Sequence, residues 1–172
     1  VIRDRRYRTG DTGRRQTVIV IEIPGREPLK INHVVLDYNG TAAVDGMLLK
    51  GVKERIARLK ELAHVYVLTA DTYGTVTRQC EPLGITVRTF PREGAAGCKE
   101  EIVKGLEGGV ACLGNGFNDI PMFDAARLSI AVLEREGMCA ALLSHASVVV
   151  RSIEDGLDLL LKPDRLRATL RS

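Results

Sequence analysis

A chain of 172 residues that is 45% hydrophobic and 27% charged fits one domain of ordinary size. It can bury roughly 70% of the surface its unfolded chain exposes, so neither a disulfide framework nor a structural metal is needed. Its apolar runs fall well short of the ~20 residues that a membrane span requires, and nothing resembles a secretory signal, so the expectation is a cytoplasmic protein without a membrane partner.

Aromatic residues make up only 4%, with no Trp, so the core must be built from Val, Leu, Ile and Ala. That bias suits a buried parallel sheet covered by helices. The cysteines, Cys80, Cys98, Cys112 and Cys139, form no C-x-x-C pair and have no His at zinc-ligand spacing. They read as small core residues. The net charge of +3 is uneven: residues 1–17 hold six Arg against Asp4 and Asp11, and the rest is nearly neutral. Residues 1–17 are therefore expected to be a basic, flexible leader, and residues 18–172 a single domain. An Arg-rich arm could touch nucleic acid, but with one aromatic (Tyr7) and no helical stripe it does not suggest such a partner.

In chain order, Val18–Ile23 predicts a strand, Pro24-Gly25 a turn and Leu29–Ile31 a return strand. Val34–Tyr38 is a continuous apolar strand interrupted only by Asp37. Gly51–Leu62 carries Val52, Ile56, Leu59 and Leu62 on one helical face. Val65–Thr69 is a second buried strand, followed by a helix over Thr75–Leu83. Then come strand Ile85–Arg88, helix Cys98–Leu106 and strand Gly109–Leu113. The last of these opens through Gly114-Asn115-Gly116 into a helix holding Ile120 and Phe123. Leu128–Leu133 and Ser147–Val150 complete the strands, with helices at 137–144, 154–161 and 164–171.

Strands spaced by short helices indicate an α/β fold with a mostly parallel sheet, and such sheets bind ligands beyond the carboxyl ends of their strands. Asp37, Thr69 and Asn115 all lie at or just past strand ends. Taken alone, Asp37 could simply open a turn through Asn39-Gly40. Lys99 could be a solvated helix lysine, with Lys104 as a rival further along the same helix. The histidines, His33, His64 and His145, have no paired acid at a legible spacing and read as structural.

Four segments change that balance: Asp37-Tyr38-Asn39-Gly40-Thr41, then Leu68-Thr69-Ala70-Asp71, then Lys99, then Gly114-Asn115-Gly116-Phe117-Asn118-Asp119. In this order they resemble the motifs of the haloacid-dehalogenase (HAD)-like superfamily. Nearest among its members are soluble phosphatase-like proteins similar to the catalytic core of P-type ATPases. The resemblance spans about residues 34–150. It implies a three-layer HAD-like Rossmannoid fold, capless, with an N-terminal β-hairpin before the nucleophile strand.

The function implied is a Mg²⁺-dependent phosphatase, a hydrolase of phosphate esters or acyl phosphates. Asp37 would attack phosphorus and form an aspartyl-phosphate, splitting one hard displacement into two easier ones. By the same resemblance Asp37, the main-chain carbonyl of Asn39, Asn115 and Asp119 would hold Mg²⁺. Thr69, Ala70, Lys99 and Asn118 would bind the phosphate. Thr69 would do so through its hydroxyl, with neighbouring backbone N–H groups, and Lys99 by offsetting charge. Thr41 and Asp71 would organise loops.

Two departures matter. Most phosphatases of this superfamily carry an acid two residues after the nucleophile, and here that residue is Asn39. An amide cannot do acid–base work, a contribution of about 10²–10⁴ in rate. The first acid of the last motif is Asn115, which keeps an oxygen but loses a charge. Turnover is therefore expected to be slow, and the alternative reading is a catalytically weakened phosphate-binding or regulatory module.

Only 31 residues separate Asp37 from Thr69 and 29 separate Thr69 from Lys99. That leaves room for a short flap at Ala42–Leu49 but not for a cap or a nucleotide-binding insertion. A site this open points to completion by another subunit as a homo-oligomer, or to a large substrate. A phosphoprotein suits such a site directly, whereas a phosphorylated small molecule is expected only where a neighbour closes the mouth.

Overall fold

The computed structural model describes residues 17–71 and 75–171; the predicted basic leader, apart from Thr17, lies outside the described residues. Among the described residues ten strands are present: β1 (Ile19–Ile21), β2 (Leu29–Ile31), β3 (His33–Asp37), β4 (Ala43–Val44), β5 (Met47–Leu48), β6 (His64–Thr69), β7 (Thr86–Thr89), β8 (Val110–Gly114), β9 (Leu128–Val132) and β10 (Val148–Val150). Six α-helices accompany them: α1 (Lys50–Leu59), α2 (Thr75–Cys80), α3 (Ala95–Lys104), α4 (Ile120–Ala125), α5 (Ile153–Leu161) and α6 (Pro163–Leu170).

Six strands form one sheet in the order β10-β9-β8-β3-β6-β7, and every pairing in it is parallel. The predicted mostly parallel sheet is thus wholly parallel, and the predicted hairpin before Asp37 is the separate antiparallel pair β1–β2. Successive side chains of a strand face opposite ways, so β3 feeds two cores. Val34 and Leu36 pack with β1 and β2, with Val52 and Ile56 of α1, and with Leu157 of α5. Val35 packs on the other face with Val103 of α3 and with Met122 and Phe123 of α4. Burial on both faces explains why these strands read as unbroken apolar runs.

The chain builds outward from β3 through β6 to β7, then returns through α3 to β8 on the other side of β3. The sheet's reversal of direction therefore lies between β3 and β8. In open α/β sheets that reversal is where a crevice opens at the carboxyl ends of the strands. Asp37 closes β3 at that point, and α3, the crossover that reverses the order, carries Lys99.

Several predicted boundaries shift for local reasons. The helix expected over Thr75–Leu83 ends as α at Cys80, because Pro82 follows in a 3₁₀ turn that closes at Gly84 with φ of 62°. The helix expected at Cys98 starts three residues earlier, after Gly94 in the left-handed region. The helix expected over 137–144 is a 3₁₀ segment, Ala140–His145, since Gly137 turns the chain with φ of 81°. Among the described residues no helix is long and apolar enough to cross a membrane.

Candidate active site

The turn after β3 aims the nucleophile candidate and its neighbours. Thr41 N and Ala43 N both donate to Tyr38 O, at 3.3 and 2.8 Å, so the chain doubles back on Asp37. Gly40 makes that possible: its φ is +76°, and a Cβ there would collide with the Asn115 amide. The Thr41 hydroxyl then lies 3.2 Å from Asp37 Oδ2 and 3.1 Å from Asn115 Oδ1.

Lys99 is 1% exposed, and its Nζ donates to Asp37 Oδ1 and Asp119 Oδ1, at 2.6 Å each. The reading of Lys99 as a solvated helix lysine is thereby overturned, while Lys104 is exposed and paired with Glu100 on its own helix. Asp119 has its other oxygen, Oδ2, occupied by the N–H groups of Asn115 and Gly116, at 3.0 and 2.9 Å. Such an approach needs Gly114, because a Cβ there would sit 2.5 Å from Asp119 Oδ2.

Two buried carboxylates against one ammonium leave a surplus negative charge. Burial, and next the charge of Asp119, push Asp37 up to about 7, although Lys99 and Thr41 act in the opposite direction. For Lys99, burial alone would lower the pKa, but the two carboxylates outweigh it and raise it.

Thr69 ends β6, is 1% exposed, and accepts at Oγ1 from Asp71 N at 3.0 Å, which leaves its own proton available to donate. Asp71 Oδ2 accepts from Val76 N at the start of α2, so Asp71 does organise its loop. Over these buried groups opens a cavity of about 540 Å³. Tyr38, Asn39, Ala70 and Asn118 line it, each a chain neighbour of Asp37, Thr69 or Asp119 or two residues away. The structure thus brings Asp37, Lys99 and Asp119 into direct contact and puts Asn39, Ala70 and Asn118 in the wall above. Asn115 is placed differently. Its amide bridges Thr41 to the carbonyl of Gly137, to which Nδ2 donates at 2.9 Å.

Sequence reasoning missed Arg92, which also lines the cavity. It sits between β7 and α3 on the carboxyl side of the sheet, so the strand-end rule applied to every loop would have found it. The flap anchors were missed as well. The β4–β5 hairpin turns at Asp45-Gly46, both with positive φ, a dipeptide suited to that turn. Gln79 of α2 bonds Gly46 O and Leu48 N, Glu136 accepts from Asp45 N, and Tyr38 Oη donates to Gly46 O. His145 Nδ1 lies 2.6 Å from Asp124, an acid 21 residues earlier that only folding brings near, so no sequence spacing marks the pair.

Among the described residues no group of three or more His, Cys, Asp or Glu side chains gathers for a metal. A closed cage is therefore not built. Thr41 has one proton facing two acceptors, so either Asp37 Oδ2 or Asn115 Oδ1 always lacks it. A free hard oxygen beside surplus negative charge fits Mg²⁺, which takes few protein ligands and keeps several waters.

No family model matches the chain. It is 29% identical over 126 residues, 71% of its length, to a soluble P-type ATPase-like phosphatase of Methanocaldococcus jannaschii. The chain spans about half of that relative, 46%. Among solved structures, the cobalt-bound deoxy-D-mannose-octulosonate 8-phosphate phosphatase of Haemophilus influenzae superposes with a TM-score of 0.66 at 16% identity, over 83% of this chain and 94% of that one. A 3-deoxy-D-manno-octulosonate 8-phosphate phosphatase of Moraxella catarrhalis, in complex with magnesium, phosphate and KDO, gives a TM-score of 0.59 at 17% identity, over 82% and 94%.

Proposed function

We propose, from the premise that the chain belongs to the haloacid-dehalogenase-like superfamily, that it is a phosphatase working through an aspartyl-phosphate on Asp37. The observation that carries this reading is the Lys99 ammonium, buried at 2.6 Å from both Asp37 and Asp119 at the reversal of a parallel sheet. Residues 18–172 act as one domain in this reading. A solvated surface lysine contributes little, whereas a buried one between two carboxylates holds charge where a phosphoryl group would add more.

In the first half-reaction Asp37 attacks phosphorus, a bond forms from its carboxylate oxygen, and the bond to the leaving oxygen breaks. The leaving oxygen takes its proton from solvent, because the Asn39 amide has none to give. The Thr69 hydroxyl donates to a phosphoryl oxygen, and Lys99 balances the charge as it spreads. In the second half-reaction water attacks phosphorus, the bond to Asp37 breaks, and the carboxylate is regenerated. Mg²⁺, held by Asp37, the Asn39 carbonyl and Asn115 on the Asp119 side, would supply electrostatic shielding between carboxylate and phosphate. A cavity of about 540 Å³ supports a phosphorylated small molecule as substrate.

A second reading, phosphate capture without useful turnover, is favoured by Asn39, which lines the cavity as an amide where the superfamily resemblance leads one to expect an acid. One experiment tests both. Release of phosphate from acetyl phosphate and from an aryl phosphate is measured with Mg²⁺ for the wild type, Asp37→Ala and Asn39→Asp. Slow turnover lost in Asp37→Ala and accelerated about 10²-fold or more by Asn39→Asp is expected. Wild-type rates equal to Asp37→Ala on both substrates overturn the phosphatase reading. Beryllium fluoride trapping then decides whether capture alone survives.

A further inference from the structure

We infer that Arg92 selects substrates bearing a second anionic group, a carboxylate or another phosphate, besides the phosphoryl group that reacts; this rests on the phosphatase reading. The residues lining the cavity include two with neutral amide side chains, Asn39 and Asn118, and the basic residue Arg92. The other charged residue in that wall is Asp71, whose Oδ2 already accepts from the Val76 N–H. Arg92 is exposed to the cavity, and among the described residues no carboxylate pairs with it. Arg55 and Arg165 show the contrast, since both are tied to Asp158.

The backbone beneath Arg92 is anchored even though its side chain is exposed. Phe90 is buried in the core and its N–H donates to Thr69 O at 3.2 Å, fixing the segment to the strand that carries the phosphate-facing threonine. Two residues on, Arg92 O accepts from Ala95 N at 3.3 Å as α3 begins, and α3 carries Lys99. The guanidinium therefore hangs from a short turn braced at both ends by elements of the reactive site. Its planar fork matches a carboxylate or phosphate, and a charge-assisted pair there is stronger than a neutral hydrogen bond. Lys99 is 1% exposed and held between Asp37 and Asp119, so a second anion would meet the exposed Arg92 rather than Lys99.

The test compares ligands that share a phosphate and differ in the second charge. With Mg²⁺ present, apparent affinities are measured by thermal-shift titration for ethyl phosphate, carboxymethyl phosphate, 2-carboxyethyl phosphate and ethane-1,2-diyl bisphosphate. Wild type, Arg92→Gln and Arg92→Lys are compared. At least one ligand with a second anionic group is expected to bind about tenfold tighter than ethyl phosphate, a difference worth about 1.4 kcal/mol. That ratio should fall to within about twofold in Arg92→Gln and be partly kept in Arg92→Lys. A gain confined to the carboxylates, or to the bisphosphate, identifies which anion the site reads. If ethyl phosphate binds and no second charge improves on it, or if the gain survives Arg92→Gln, the inference fails while the phosphatase reading stands. If no phosphate ester binds or is turned over, the reading itself fails and takes the inference with it.

Discussion

At the residue scale the most informative side chain is Asn115. Its Nδ2 donates to Gly137 O and its Oδ1 faces Thr41, so the amide uses both ends at once. A carboxylate could fill only the second role and would set an oxygen against the Gly137 carbonyl. Asn115→Asp is therefore expected to cost about 1–3 kcal/mol in metal-free urea unfolding. The added charge should also make stabilisation by Mg²⁺ larger than in the wild type. Unchanged stability without metal would contradict the bridging role. At this scale, too, the limits of sequence are clearest. Asp37, Thr69 and Asp119 were legible because strand ends and motif order mark them. Gln79 and Glu136 were not, since each acts on a partner far away in sequence and neither carries a local pattern.

At the element scale, helices α1 and α5 cover the same face of the sheet and are tied by one polar node. Asp158 of α5 accepts from Arg55 Nε of α1 at 2.8 Å and from Lys162 Nζ at 2.9 Å, with Arg165 at 3.8 Å. Burial works to raise the Asp158 pKa, but these donors prevail and hold it below the ordinary carboxylate value. A depressed pKa means the carboxylate stabilises the fold above the unfolded-state value and loses that contribution as pH falls through the folded one. Asp158→Asn should therefore lower stability by about 1 kcal/mol near pH 7, with the difference shrinking in acid below pH 4. Chemical denaturation at both pH values checks it. The existence and order of these helices followed from apolar spacing, but their ends did not. Pro82, Gly94 and Gly137 set boundaries that the apolar pattern alone had run past or placed late.

At the scale of the whole molecule, stability and site chemistry are linked through Asp37. Its pKa is raised to about 7 from an ordinary 3.8, so between those pH values the folded protein holds a proton that the unfolded chain has released. Stability of the metal-free protein must then fall as pH rises through that window, the reverse of an ion-paired surface carboxylate. Asp37→Asn lacks the titrating group. Melting temperatures in chelator should show the variant gaining on the wild type from about pH 4 to pH 7, then running parallel to it. A constant gap across the range would show that the carboxylate is not held protonated by its surroundings.

The shared proton of Thr41 has a consequence that reaches beyond Asp37. A hydroxyl offered two oxygens favours the charged one, so while Asp37 is ionised the proton points to Oδ2. Once that carboxylate is protonated, the preference weakens and Asn115 Oδ1 becomes the better acceptor. Asn115 holds Gly137, and the adjoining Glu136 holds the tip of the β4–β5 hairpin at Asp45. The Thr41 hydroxyl thus sits between the Asp37 carboxylate and the amide that braces Gly137, and its hydrogen turns with the charge on that carboxylate.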